Sequence, residues 1–141
     1  MPFIFQDAEK RFKNNDFKEN EYINESGHTE CVIFVQKAAK VPRTTQWIAG
    51  LRLKDAKPGD ITPGTAIATF NDQGKYPTEG SGRQHAAIYL SHTSVSIHVL
   101  EQYNKRKTVK DRYISFNNPQ RSDRSNNANT YYVIETIGTK K

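Results

Sequence analysis

"HTECVIFVQKAAK", residues 28–40, holds the only cysteine of the chain at the start of a run that is apolar on nearly every side. Val32, Ile33, Phe34, Val35, Ala38 and Ala39 would cover most of a helix circumference, so the run is a buried helix or a buried strand. Its length and the Gln-Lys-Ala-Ala-Lys ending select the helix, with Thr29 as a candidate N-cap. Cys31 then lies in the first turn, where unpaired backbone N–H groups and the helix dipole favour a thiolate. A lone cysteine is more often a buried core thiol than a nucleophile, so its surroundings must decide.

Downstream, the pattern changes to strands. "TAIATF" (65–70), "HAAIYL" (85–90), "SVSIHVLEQY" (94–103), "DRYISF" (111–116) and "YYVIETI" (131–137) are short β-rich runs, and "SHT" makes a tight hairpin connection between the second and third. Upstream, residues 1–27 scatter Phe3, Phe5, Phe12, Phe17, Tyr22 and Ile23 among charges, which predicts a partly helical lead-in that packs its aromatics on the domain. Residues 42–50, with Trp47 as packing, read as a second short helical or irregular piece, and "KPGDITPG" (57–64) is turn chemistry. Helices first and strands afterwards predict an α+β fold with a mostly antiparallel sheet of five to six strands on the cysteine-bearing helix. At 141 residues the chain fits a single domain, 1–141.

Two polar loops interrupt the strands. Residues 71–84 deliver the chain to His85 and are the expected rim of a site, whereas 117–130, rich in Asn, Ser and Arg, are expected to be mobile. His85, at the entrance of a core strand, faces the surface on which the helix packs. If the hairpin turns around His92 and Thr93, position 101 falls opposite that entrance, making Glu101 the group to orient the imidazole. A slip of one residue would substitute Gln102. His98 lies on the face opposite Glu101, as a solvent-facing strand residue, and His28 and His92 read as turn residues.

Net charge is +6 and the pI is near 9.4, which favours an anionic partner. The basic clusters at 104–107 and 120–124 read as solvated faces; no nucleic-acid motif accompanies them, so nucleic acid is not expected as a partner. One cysteine and four histidines without paired ligand spacing give no metal pattern, and no cofactor is expected. No stretch approaches the apolar length of a membrane span, and the N-terminus lacks a signal-peptide pattern, so synthesis in the cytoplasm is expected.

Taken in order, "ECVIFVQ" (30–36), "GTAIATF" (64–70), "RQHAAIYL" (83–90) and "HVLEQY" (98–103) resemble the papain-like amidase and peptidase superfamily of bacterial cell-wall enzymes, in particular CHAP amidases and NlpC-type endopeptidases. The correspondence runs from about residue 27 to 116. Size and layout are also similar to the amidase effectors of type VI secretion systems. The resemblance implies a papain-like fold in which Cys31 is the nucleophile, His85 the general base and Glu101 the orienting carboxylate; NlpC-type members would assign the third role to His98. It also implies amide hydrolysis in peptidoglycan stems or cross-bridges, delivery to the periplasm of a target cell, and a cognate immunity protein. Two departures stand out. Tyr103 replaces the Asn of the CHAP "Glu-Gln-Asn" step, and Glu30 replaces the Gln that commonly precedes the cysteine, leaving a second oxyanion donor unassigned. The rival readings are a papain-like acyltransferase or deamidase on a protein or lipid, and a basic non-enzymatic module binding nucleic acid or wall polymer.

Overall fold

Two helices, α1 (Ala8–Asn14) and α2 (Cys31–Ala39), precede six strands: β1 (Trp47–Arg52), β2 (Ala66–Thr69), β3 (Ala86–His92), β4 (Ser96–Tyr103), β5 (Arg106–Ser115) and β6 (Tyr131–Thr136). The structure, a computed structural model, describes residues 2–76, 84–118 and 124–137. The strands form one antiparallel sheet in the order β1-β6-β2-β3-β4-β5. This is the expected α+β arrangement, with α2 packed on β3 and β4.

The central strands are apolar at successive positions because both faces of the sheet are covered. On the α2 face, Phe34, Val35 and Ala39 meet Ala86, Ile88, Leu90 and Leu100, and the lead-in adds Phe5 with Phe3, Phe12, Phe17 and Tyr22 around it. On the other face, Ile67, Ala87, Tyr89, Ile97, Val99 and Val133 pack under Leu53, Ile61, Ala128 and Tyr131. Side-chain alternation along β3 therefore sends Ala86 and Ile88 towards the helix and Ala87 and Tyr89 away from it.

Several local expectations are corrected. Residues 42–50 are the expected short helical or irregular piece only as far as a 3-10 turn at Thr44–Gln46; the chain then enters β1, at the sheet edge against β6, with Trp47 buried and its indole Nε1–H donating to the Pro42 carbonyl at 2.8 Å. Thr29 does not cap α2; its hydroxyl donates to the Tyr103 carbonyl at 3.2 Å, and Glu30 is the N-cap residue, with no side-chain cap bond. His92 is no turn residue but the last of β3. A bulge in the β3–β4 pairing between Tyr89 and Ser91 puts His92 beside Tyr89, whose hydroxyl donates to its Nδ1 at 2.6 Å, while Nε2–H donates to the Ala56 carbonyl at 2.9 Å. His98 is buried, stacked on Tyr113 at 4.1 Å and bonded to Asp111 at 2.7 Å. Its cross-strand neighbour and Phe12 cover it, so it does not face solvent.

Of the loop expected to be mobile, residues 119–123 lie outside the described residues. The rest is tied down in two 3-10 turns, Arg124–Asn126 and Ala128–Thr130, with the Thr130 hydroxyl within hydrogen-bond distance of both the Arg124 and Asn127 carbonyls and the Tyr131 hydroxyl donating to Ser125. Residues 77–83 of the expected rim loop, and 120–123 of the second basic cluster, also lie outside the described residues.

The lead-in is clamped at Gly64. Its carbonyl accepts from Phe5 N–H at 2.8 Å, its own N–H donates to the Tyr89 carbonyl at 2.7 Å, and its φ of +97° lies where only glycine is relaxed. A Cβ there would collide with the Phe5 carbonyl. Gly64→Ala is therefore expected to cost about 2 kcal/mol or more, combining a strained φ with a backbone clash, seen as a lower denaturant midpoint.

Candidate active site

Three elements converge where α2 begins. Cys31, a partly accessible residue, opens α2, at the end of the helix whose first-turn N–H groups no carbonyl within the helix can reach. His85 directly precedes β3 and is fastened to the end of β2: its N–H donates to Thr69 Oγ1 at 3.0 Å, and its carbonyl accepts from Thr69 N–H at 2.9 Å. Its imidazole Nε2–H donates to Glu101 Oε1 at 2.7 Å. That leaves Nδ1 for the Cys31 sulfur, which also receives the Ala86 backbone N–H and the Tyr76 hydroxyl.

Glu101 is 1% exposed, a carboxylate that burial alone would push towards protonation. Its second oxygen, Oε2, lies 2.8 Å from both Arg106 Nη2 and Arg112 Nε. The register explains the convergence. Glu101 pairs with Lys110, so Arg112, two residues along β5, shares its face, and an irregularity between Glu101 and Tyr103 brings Arg106 opposite Tyr103. Arg112 also reaches Asn126 Oδ1 at 2.8 Å and the Ser125 carbonyl at 3.2 Å, binding the site to the segment before β6.

The titrations are linked. Burial works against the charged forms of Cys31 and His85, but each is the other's counter-ion: burial pushes the thiol up, and the charge and hydrogen bond of His85, with Ala86 N–H and Tyr76, bring it below its ordinary value. For His85, burial pulls down, and the Cys31 thiolate followed by Glu101 raise it to about 9. Burial likewise raises Glu101, and the bond to His85, its charge and Arg112 outweigh this and hold it at about 2. Tyr76 is kept protonated well above its ordinary range, by burial first and the neighbouring thiolate second. The shifts favour a thiolate–imidazolium pair backed by an ionised Glu101, with a phenol that stays protonated as a donor beside the sulfur.

The other sequence candidates lie elsewhere. Gln102 points to the α2 face, where Nε2 donates to the Tyr22 carbonyl at 2.7 Å and the Glu30 carbonyl at 3.0 Å, bracing the helix entrance from behind. His98 is on that same face, under α1, and bonded to Asp111. Neither touches His85. Three residues at the site went unread in the sequence. Tyr76 falls in the loop expected as a rim, packed on Trp47 at 4.8 Å, but nothing local marks its hydroxyl. Arg106 belonged to a basic cluster read as solvated, and Arg112 to a strand whose start was set too late; β5 runs from 106 and carries both to Glu101.

A cysteine at the mouth of a helix packed on an antiparallel sheet, with an imidazole against its thiol, is the architecture of a papain-like cysteine hydrolase. The chain matches the family described as Domesticated amidase effector 2 over residues 3–134, and it belongs to that family. Among solved structures it is similar to "Type 6 secretion amidase effector 2 (Tae2)", with a TM-score of 0.76 and 26% identity, over 100% of this chain and 99% of that one. No curated protein sequence matches it. The protein is thus a hydrolase of the amidase-effector kind. No helix among the described residues is long and apolar enough to cross a membrane.

Proposed function

We propose that the whole chain, 1–141, acts as one papain-like domain that hydrolyses amide bonds in the peptide stems or cross-bridges of peptidoglycan, with Cys31 as nucleophile, His85 as proton carrier and Glu101 as the carboxylate that orients it. The observation that carries this reading is the continuous line from the Cys31 thiol through His85 to buried Glu101, in a chain of the amidase-effector family. The thiolate attacks the amide carbonyl carbon, and the developing oxyanion is met by the Cys31 backbone N–H and by Tyr76, the second donor that Glu30 cannot be. Collapse breaks the C–N bond as His85 gives its Nδ1 proton to the departing amine, leaving a thioester.

Thioester formation consumes the anion that raised His85. Burial then pulls the imidazole back towards neutrality, and it can take a proton from water, whose hydroxide attacks the thioester and releases Cys31. The charge distribution thus supports the same ring as acid in the first half and base in the second. In this reading the protein is delivered by a type VI secretion system, works in the periplasm of the target cell, and is held in check in the producer by a cognate immunity protein that covers the Cys31 cleft.

Incubation with purified peptidoglycan tests the reaction. New primary amines, together with muropeptides shortened or uncoupled at one amide bond, are the expected products. Transfer of an acyl group to a protein or lipid acceptor with no amine released from peptidoglycan would instead establish the acyltransferase reading.

A further inference from the structure

Beside His85 opens a cleft of about 330 Å³ whose lining includes Gln84, His85, Glu101, Tyr103, Arg106 and Arg112 but not Cys31. Two guanidinium groups and one carboxylate line it, so its charge is positive before His85 is counted. The two arginines are not equivalent. Arg112 is spent on Glu101, Asn126 and Ser125. Arg106 gives only Nη2 to Glu101 and lies over the Tyr103 ring at 4.8 Å; its Nε and Nη1 carry no hydrogen bond among the described residues. With its side chain 23% exposed, it is braced by an aromatic face and a buried anion while presenting unused donors to the cleft. A guanidinium held in this way is preorganised for a second carboxylate.

We propose that this cleft is a carboxylate subsite in which Arg106 binds a free carboxylate of the peptide substrate, on the leaving-amine side of the scissile bond. The side follows from the lining: His85, which must stand next to the departing nitrogen, borders the cleft, whereas Cys31 does not. Resting on the amidase reading above, the proposal names the substrate feature that sets its specificity. Burying such a carboxylate satisfies the surplus positive charge; a carboxamide at the same place leaves it uncompensated.

The test uses two synthetic cross-linked stem peptides that differ only next to the amide nitrogen to be released, one bearing a free carboxylate and the other a carboxamide. The wild-type protein is expected to prefer the carboxylate form by about 10- to 100-fold in kcat/KM, mostly through KM, the usual weight of a charge-assisted contact. Arg106→Gln should raise KM for the carboxylate substrate by a similar factor over its effect on the carboxamide substrate, so that the preference collapses, while any loss of kcat from the missing contact to Glu101 falls on both substrates alike; Arg106→Lys should retain part of the preference. Equal wild-type rates on both substrates would overturn the subsite and leave the amidase reading standing. Arg106→Gln slowing both substrates equally, through kcat, would also overturn it, because Arg106 would then act only through Glu101. Cleavage of neither would count against both readings.

Discussion

Cys31→Ala is expected to lower peptidoglycan amidase activity by at least ~10³-fold while changing the thermal midpoint little, because the reacting atom is lost and a partly accessible residue is shortened by one sulfur. His85→Ala should be about as damaging, since a thiolate–imidazolium pair acts as a unit. The pair is also visible without substrate. Iodoacetamide should alkylate wild-type Cys31 well below pH 8.5, the ordinary thiol range, because His85 stabilises the thiolate. In His85→Ala, burial should dominate and the low-pH reaction should vanish. Activity should fall again on the alkaline side as pH rises through about 9, where His85 loses the proton the leaving amine needs. Intact wall-degrading activity in Cys31→Ala, or a thiol silent until the protein unfolds, would end the nucleophile assignment.

The second large effect belongs to Glu101. Glu101→Gln keeps the shape and removes the charge that faces His85, Arg106 and Arg112 together, leaving guanidiniums with an amide where they had a buried carboxylate. The expected cost is about 3 kcal/mol of stability, the scale for breaking a buried ion pair from one side. Turnover should fall by ~10²- to 10⁴-fold, as when the orienting carboxylate of a catalytic triad is neutralised. The pH dependence separates this from general damage. Glu101 titrates near 2 in the folded protein and at an ordinary carboxyl value of about 4.3 in the unfolded chain, so its contribution is fully present above about 4.3 and is lost as pH falls towards 2. Wild type should lose stability steeply across that window, while Glu101→Gln should show a shallower acid slope in the same denaturation series. Equal slopes would mean that the carboxylate is not held by its neighbours.

The two substitutions test different layers of the same site, and those layers were unequally legible in the sequence. α2 could be read locally: one cysteine, a dense apolar run and a helix-favouring end lie within thirteen residues. The entrance of β3 was readable for the same reason, as were the apolar cores of β2, β4 and β6. β1 was not, because Trp47–Arg52 is an edge strand whose partners on β6, from Tyr132 to Thr136, lie far along the chain and whose burial pattern does not alternate. Thr29 looked like a cap by its place in sequence, yet its hydroxyl is claimed by a carbonyl at position 103.

By itself, then, the sequence determined the parts: a thiol at a helix mouth, a histidine at a strand entrance, an acid-amide pair on the next strand, and an α+β order of elements. The tertiary structure decided the phase. A period of two makes neighbours face opposite ways, but which neighbour faces inward depends on hydrogen-bond register, and that is set by the whole sheet. Register turned Glu101 towards His85 and Gln102 towards the carbonyls behind α2, buried His98 under α1, and carried Arg106 and Arg112 to the same carboxylate oxygen. Tyr76 and the cleft beside His85 belong to that second category, since they exist only where segments distant in the chain meet.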